Sequence, residues 1–126
     1  MSDLNVAATS TTPGISACSE TGRVSLIGDS YPENSFEFFQ PLIAWLESYL
    51  GQPEGRLSLE ICLAYLNTSS VRVMMDILDM LEESFQAGRQ VDLVWFYEAG
   101  NERIAELAEE FREDCTFPYT VTPRGT

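Results

Sequence analysis

Histidine and lysine are both missing from the 126 residues, and the seven basic side chains are all arginines, at positions 23, 56, 72, 89, 103, 112 and 124. Their absence removes histidine-activated nucleophiles, imidazole-ligated metals, Schiff-base lysines and the phosphate-binding lysine of P-loops and kinases. Only carboxylate-dependent catalysis survives, and no motif calls for a cofactor. Cysteine is scarce: Cys18, Cys62 and Cys115 are odd in number, widely spaced and outside any CxxC pair, so neither a disulfide framework nor a zinc site is expected. Inert thiols in a reducing compartment fit best. Long apolar runs are missing too, since nothing approaches the roughly 18 unbroken apolar residues of a membrane span. Met1–Thr12 has neither the basic cluster nor the apolar stretch of a signal peptide. These features predict a cytoplasmic protein with no direct membrane insertion.

Positive charge is equally short. Twenty acidic residues against seven arginines give a formal net charge of −13, which repels a phosphate backbone and an anionic bilayer at long range. Nucleic acid is therefore excluded as an expected partner, and proteins with basic or mixed surfaces are favoured.

What is present reads as one domain over residues 1–126, with residues 1–12 expected to be frayed. Pro13-Gly14 signals a turn, and weak alternation at Ile15-Ser16-Ala17 followed by Arg23–Gly28 predicts an antiparallel hairpin. Asn34 with Glu37 three residues on forms a capping pair, and Phe36, Phe39, Ile43, Leu46 and Leu50 follow at helical spacing. Pro41 inside that pattern predicts either a kink or a helix start near Gln40. Period-two alternation over Arg56–Leu66 predicts a central strand covered on both faces. Val71, Met74, Met75, Leu78, Leu81 and Phe85 mark a second helix ended by Gly88. Val91–Tyr97 is a further strand, and Gly100-Asn101 opens a third helix with Ile104, Leu107, Ala108 and Phe111 inward. Phe117, Tyr119 and Val121 alternate in a last strand, placed at a sheet edge by its proline. The fold class is α/β: a mixed, mostly parallel sheet with an N-terminal antiparallel hairpin and helices packed on it, carrying two crossovers after Arg56.

The most polar strand-to-helix junction is Asn67-Thr68-Ser69-Ser70. Read from the residues alone, it supports two roles. One hydroxyl caps the following helix, which is the plain account; or the excess of hydroxyls marks an anion or phosphorylation site, where backbone donors would meet the phosphate. Acidic rows such as Asp76, Asp79, Glu82 and Glu83 read as solvated helix faces rather than metal ligands. Trp95, Phe96 and Tyr97, like Met74 and Met80, read chiefly as core, although methionines beside a polar loop suit adaptable partner contact. A carboxylate-dependent enzyme using Asp76 or Glu33 in the cleft near residues 67–70 is the alternative from a different class.

Four segments, Asp29–Ser35, Tyr65–Ser70, Met74–Leu78 and Asn101–Arg103, resemble in order and spacing the SiaC family of bacterial regulatory phosphoproteins, over nearly the whole chain. The resemblance implies a STAS-like fold of the anti-sigma-factor-antagonist type and no enzymatic activity. It implies phosphorylation of Thr68 by a serine/threonine protein kinase, reversal by a metal-dependent protein phosphatase, and activation of a diguanylate cyclase by the unphosphorylated form. Cyclic di-GMP output and biofilm formation would follow. Asn67, Ser69, Ser70, Val71 and Met75 are then the expected partner-binding residues. Asn67 stands where the STAS motif carries aspartate, and an antagonist of an anti-sigma factor, acting on transcription, is the alternative function.

Overall fold

The computed structural model describes residues 1–124. Six strands form one sheet whose spatial order is the order of the chain: β1 (Leu4–Val6), β2 (Gly14–Cys18), β3 (Arg23–Ser30), β4 (Leu57–Leu66), β5 (Val91–Glu98) and β6 (Tyr119–Arg124). Helix α1 (Ser35–Leu50) joins β3 to β4, α2 (Thr68–Gln86) joins β4 to β5, and α3 (Glu102–Arg112) joins β5 to β6. The β1/β2 and β2/β3 pairs are antiparallel, and β3/β4, β4/β5 and β5/β6 are parallel. This is the predicted α/β architecture with one crossover more than expected, because β3 enters the parallel part through α1.

Local chemistry accounts for the elements. Asn34 Oδ1 accepts from the Glu37 amide at 3.1 Å, so α1 starts at Ser35 and not near Gln40. Pro41 is tolerated within it because both Pro41 and Glu37, whose carbonyl loses its helical donor, lie on the exposed side. In the hairpin turn Gly22 has φ 73, and a Cβ there would sit 1.8 Å from the Arg56 carbonyl oxygen, so only glycine fits. Strand β3 continues past Gly28, the end expected of it, to Ser30. The ladder skips Ala64 between the Gly28–Leu63 and Asp29–Tyr65 pairs, a bulge that Gly28 accommodates with φ 128.

The core fills one side of the sheet. Val24 and Leu26 of β3, Leu57, Leu59, Ile61 and Leu63 of β4, and Leu93 and Trp95 of β5 are all buried against the helices. Each such side chain contributes about 1.5–3 kcal/mol on removal from water. Phe39, Leu42 and Leu46 of α1, Val73, Met74, Ile77 and Leu81 of α2, and Ile104 and Ala108 of α3 close the layer. Among the described residues the opposite face has no layer over it: Glu60 and Ala64 are exposed, Ser58, Cys62 and Phe96 half-buried, and Ile27 is 52 % exposed. The expectation that β4 is covered on both faces is thus corrected. Cys62 and Ala64 are small enough to sit at a water boundary, and the skipped Ala64 turns Leu66 to the inner side.

The N-terminus is also more ordered than expected. Leu4–Val6 pair with Ile15–Ala17, Trp45 Nε1 donates to the Ser2 carbonyl at 3.0 Å, and the Asp3 carboxylate accepts from the Ser19 amide at 2.8 Å. At the far edge β6 carries Pro123, as an edge strand permits. The α3–β6 connection is held by Glu82, which accepts from Thr116 Oγ1 at 2.6 Å and the Thr116 amide at 2.7 Å; the Thr116 hydroxyl is the main cause of its lowered pKa. Burial first, then the charges of Glu82, Asp114 and Asp79, push the nearby Cys115 thiol up to about 11.

Candidate functional site

The carboxyl ends of β3 and β4 deliver two chain segments to one place. Asn67 leaves β4 in extended conformation, with φ −76 and ψ 171, and its side chain works in both directions. Oδ1 accepts from the Ser70 amide at 3.0 Å and so caps α2, while Nδ2 donates to the Pro32 carbonyl at 3.1 Å. The Asn67 amide donates to the Ser30 carbonyl at 2.9 Å. One asparagine therefore starts the helix and fastens it to the segment that follows β3.

Behind it the hydroxyls form a closed set. Ser70 Oγ lies 2.7 Å from Ser30 Oγ and 3.1 Å from Ser35 Oγ, and Ser35 Oγ lies 2.7 Å from Ser69 Oγ. Ser30, Ser35 and Ser70 are 0 %, 1 % and 1 % exposed. Buried hydroxyls need partners, and these satisfy one another. Thr68 differs on both counts: it is exposed, and its side chain makes no hydrogen bond among the described residues. The helix has its cap from Asn67, so the plain account of the hydroxyl run, that one of them caps, does not apply to Thr68.

A cleft of about 350 Å³ opens beside Thr68, between the start of α2 and α3, with Tyr65, Val71, Arg103, Leu107 and Glu110 among its walls. Asn101 fixes the far wall by capping α3, its Oδ1 accepting from the Ile104 amide at 3.3 Å, and by donating from Nδ2 to the carbonyl of the bulged Ala64 at 3.2 Å. Exposed apolar groups lie on the segments that meet here: Tyr31, 44 % exposed and stacked at 4.4 Å on the cleft wall Tyr65, and, both 48 % exposed, Phe36 next to Ser35 at the start of α1 and Met75 one turn beyond Val71 on α2. Large apolar side chains exposed beside a polar junction suit a surface that a protein partner covers.

Of the residues singled out from the sequence, Thr68 and Met75 face solvent, while Asn67, Ser69 and Val71 are half-buried. Ser70 points inward and supports the junction from behind. Asp76 and Glu33 are exposed, and neither joins the hydrogen-bond network at residues 67–70. Residue-level reasoning missed Ser30 and Ser35 as hydroxyl partners, Tyr31 and Phe36 as exposed apolar groups beside them, and Asn101 and Arg103 as the far wall. The signal for them was the segments Asp29–Ser35 and Asn101–Arg103, whose function needed the fold to become visible.

Residues 6–124 match the family model described as SiaC family regulatory phosphoprotein. An uncharacterized protein of Pseudomonas aeruginosa (strain UCBPP-PA14) is 54% identical over 121 residues, which is 96% of each chain. Among solved structures, the chain is similar to the crystal structure of the diguanylate cyclase SiaD in complex with its activator SiaC from Pseudomonas aeruginosa, with TM-score 0.94 and 52% identity over 97% of this chain and 100% of that one. Apo-SiaC from Pseudomonas aeruginosa gives TM-score 0.92 and 52% identity, over 97% of this chain and 99% of the other. The chain belongs to the SiaC family of regulatory phosphoproteins.

Proposed function

We propose that this protein is a phosphorylation-controlled activator of a diguanylate cyclase, acting in the cytoplasm with no catalytic activity of its own. The unphosphorylated chain binds the cyclase and promotes cyclic di-GMP synthesis. A serine/threonine kinase transfers the γ-phosphoryl group of ATP to Thr68 Oγ1, releasing ADP and the hydroxyl proton. A metal-dependent phosphatase directs water onto the phosphorus, restoring the hydroxyl and releasing phosphate.

The observation that carries the position of the switch is that Thr68 is exposed and without a side-chain partner among the described residues, beside four hydroxyls already committed to one another. The cyclase is supported by the similarity to SiaC in its complex with SiaD. Val71, Met75, Tyr31 and Phe36 supply the contact surface, while Asn67, Ser69 and Ser70 hold its shape. A phosphate adds about −1.5 to −2 charges to that surface, which opposes docking by repulsion and desolvation without disturbing the core. About 3 kcal/mol of opposition changes affinity more than a hundredfold.

The test is intact-mass measurement after incubation with kinase and ATP, followed by cyclase capture with modified and unmodified chain. One phosphate, abolished by Thr68→Ala, and capture by the unmodified form alone are expected. A phosphate retained in Thr68→Ala, or equal capture by both forms, would sink the reading. Capture of a kinase-type anti-sigma factor in place of the cyclase would redirect the output to transcription.

A further inference from the structure

Seven arginines stand among twenty acidic side chains, so an arginine with no side-chain partner at all stands out in this chain. Five of the seven are engaged. Arg23 pairs with Glu60 at 3.5 Å, Arg56 with Asp92 at 3.2 Å and Arg112 with Glu109 at 3.4 Å. Arg89 donates to backbone carbonyls, including those of Gly55 and Leu50, and Arg124 lies 3.1 Å from Cys62 Sγ. Arg72 and Arg103 make neither an ion pair nor a side-chain hydrogen bond among the described residues, and both are exposed.

These two flank Thr68. Arg72 is four residues on, one turn along the same face of α2, a spacing at which side chains meet. Arg103 lines the same cleft as Thr68, from the opposite wall. Glu106 and Glu110 line that cleft too, yet neither lies within ion-pair distance of Arg103, which leaves its guanidinium free to turn towards α2.

We propose that Arg72 and Arg103 form a two-arginine clamp that takes the phosphate on Thr68 and draws α2 and α3 together across the mouth of the cleft. The inference rests on the phosphorylation of Thr68 proposed above. Guanidinium groups present paired N–H donors that match phosphate oxygens, and an arginine from each side leaves the phosphate bridged between two helices. The clamp also offsets repulsion from Glu106 and Glu110. Phosphorylation then changes the shape of the partner face as well as its charge, since the walls Tyr65, Val71 and Leu107 lose their open cleft.

The test uses the full chain with phosphothreonine installed at position 68 by genetic code expansion, so it does not depend on any kinase. Phosphorus NMR follows the second ionisation of the phosphate with pH in the native background and in Arg72→Gln, Arg103→Gln and the double variant. Arg23→Gln removes the same charge far from the junction. The native phosphate should ionise below a short phosphopeptide of the same local sequence, by about half a pH unit for each arginine engaged across a solvent-exposed contact. Each of Arg72→Gln and Arg103→Gln should move it back, with Arg23→Gln leaving it in place. A native value equal to the peptide's, or a shift in Arg23→Gln as large as in the clamp variants, overturns the clamp. If the kinase leaves Thr68 unmodified, the functional reading fails separately, and this titration still decides the clamp.

Discussion

The two ends of the sheet carry hollows of similar size in opposite chemical states. At the amino end, a cavity of about 410 Å³ is lined by Arg56, Arg89 and the loops before β4 and β5. Its two arginines are engaged: Arg89 donates to the carbonyls of Gly55 at 2.6 Å, Leu50 at 3.1 Å and Gln52, while Arg56 donates at 3.2 Å to Asp92, which also accepts from Ser58 at 2.8 Å. At the carboxyl end the cleft of about 350 Å³ has on one wall a hydroxyl and on the other a guanidinium, neither with a side-chain partner among the described residues. Volume alone would rank the two alike or choose the wrong one. The amino end uses its arginine to fasten loops, and the carboxyl end keeps its polar groups available, which is what a site requires.

That contrast can be broken by mutation. Asn67→Ala removes the cap of α2 and the tie to Pro32 together, and should cost about 2 kcal/mol in denaturant melts. Arg89→Ala should cost about 1.5 kcal/mol, because the backbone carbonyls it serves turn to water, yet leave kinase modification and cyclase capture unchanged. Altered capture in Arg89→Ala would mean that the two ends are coupled and the contrast is false. Thr68→Ala should shift stability by less than about 0.5 kcal/mol, since the hydroxyl has no partner to lose. A larger loss would show that Thr68 supports the fold after all.

A last effect is expected in the α3–β6 connection. Cys115 ionises near 11 in the folded chain against 9.0 as its ordinary value, so the folded state favours the protonated thiol. Its contribution is complete below about pH 9 and fades as pH rises towards 11. Thermal melts across that window should fall less steeply in Cys115→Ala than in the native chain.

Much of this was legible in the sequence. Helical periodicity located α1 and α2, and the Asn34 and Asn101 caps marked the starts of α1 and α3, because capping and amphipathic packing are local and repeat along the chain. The face of β4 that stays open was harder. Cys62 and Ala64 imitate a covered face, and the contrary signal was Ser58 and Glu60 alternating with them. Strand β1 spans only three residues, too few for a period to show. The division of labour among Thr68, Ser69 and Ser70 was beyond reach, since it depends on Ser30 and Ser35, more than thirty residues away, and on α2 starting at Thr68 and not at Val71. The resemblance placed Thr68 at the centre without that geometry.

The sequential order of the strands has a kinetic consequence. Every strand hydrogen-bonds to the one just before or after it in the chain, so no ladder closes a loop larger than one connecting segment. Loop-closure entropy stays small at every step, and contact order is low for a parallel sheet. As the chain leaves the ribosome, each new strand can pair with one made before it, and the hydroxyls of Ser69 and Ser70 meet Ser30 and Ser35 once α2 follows β4.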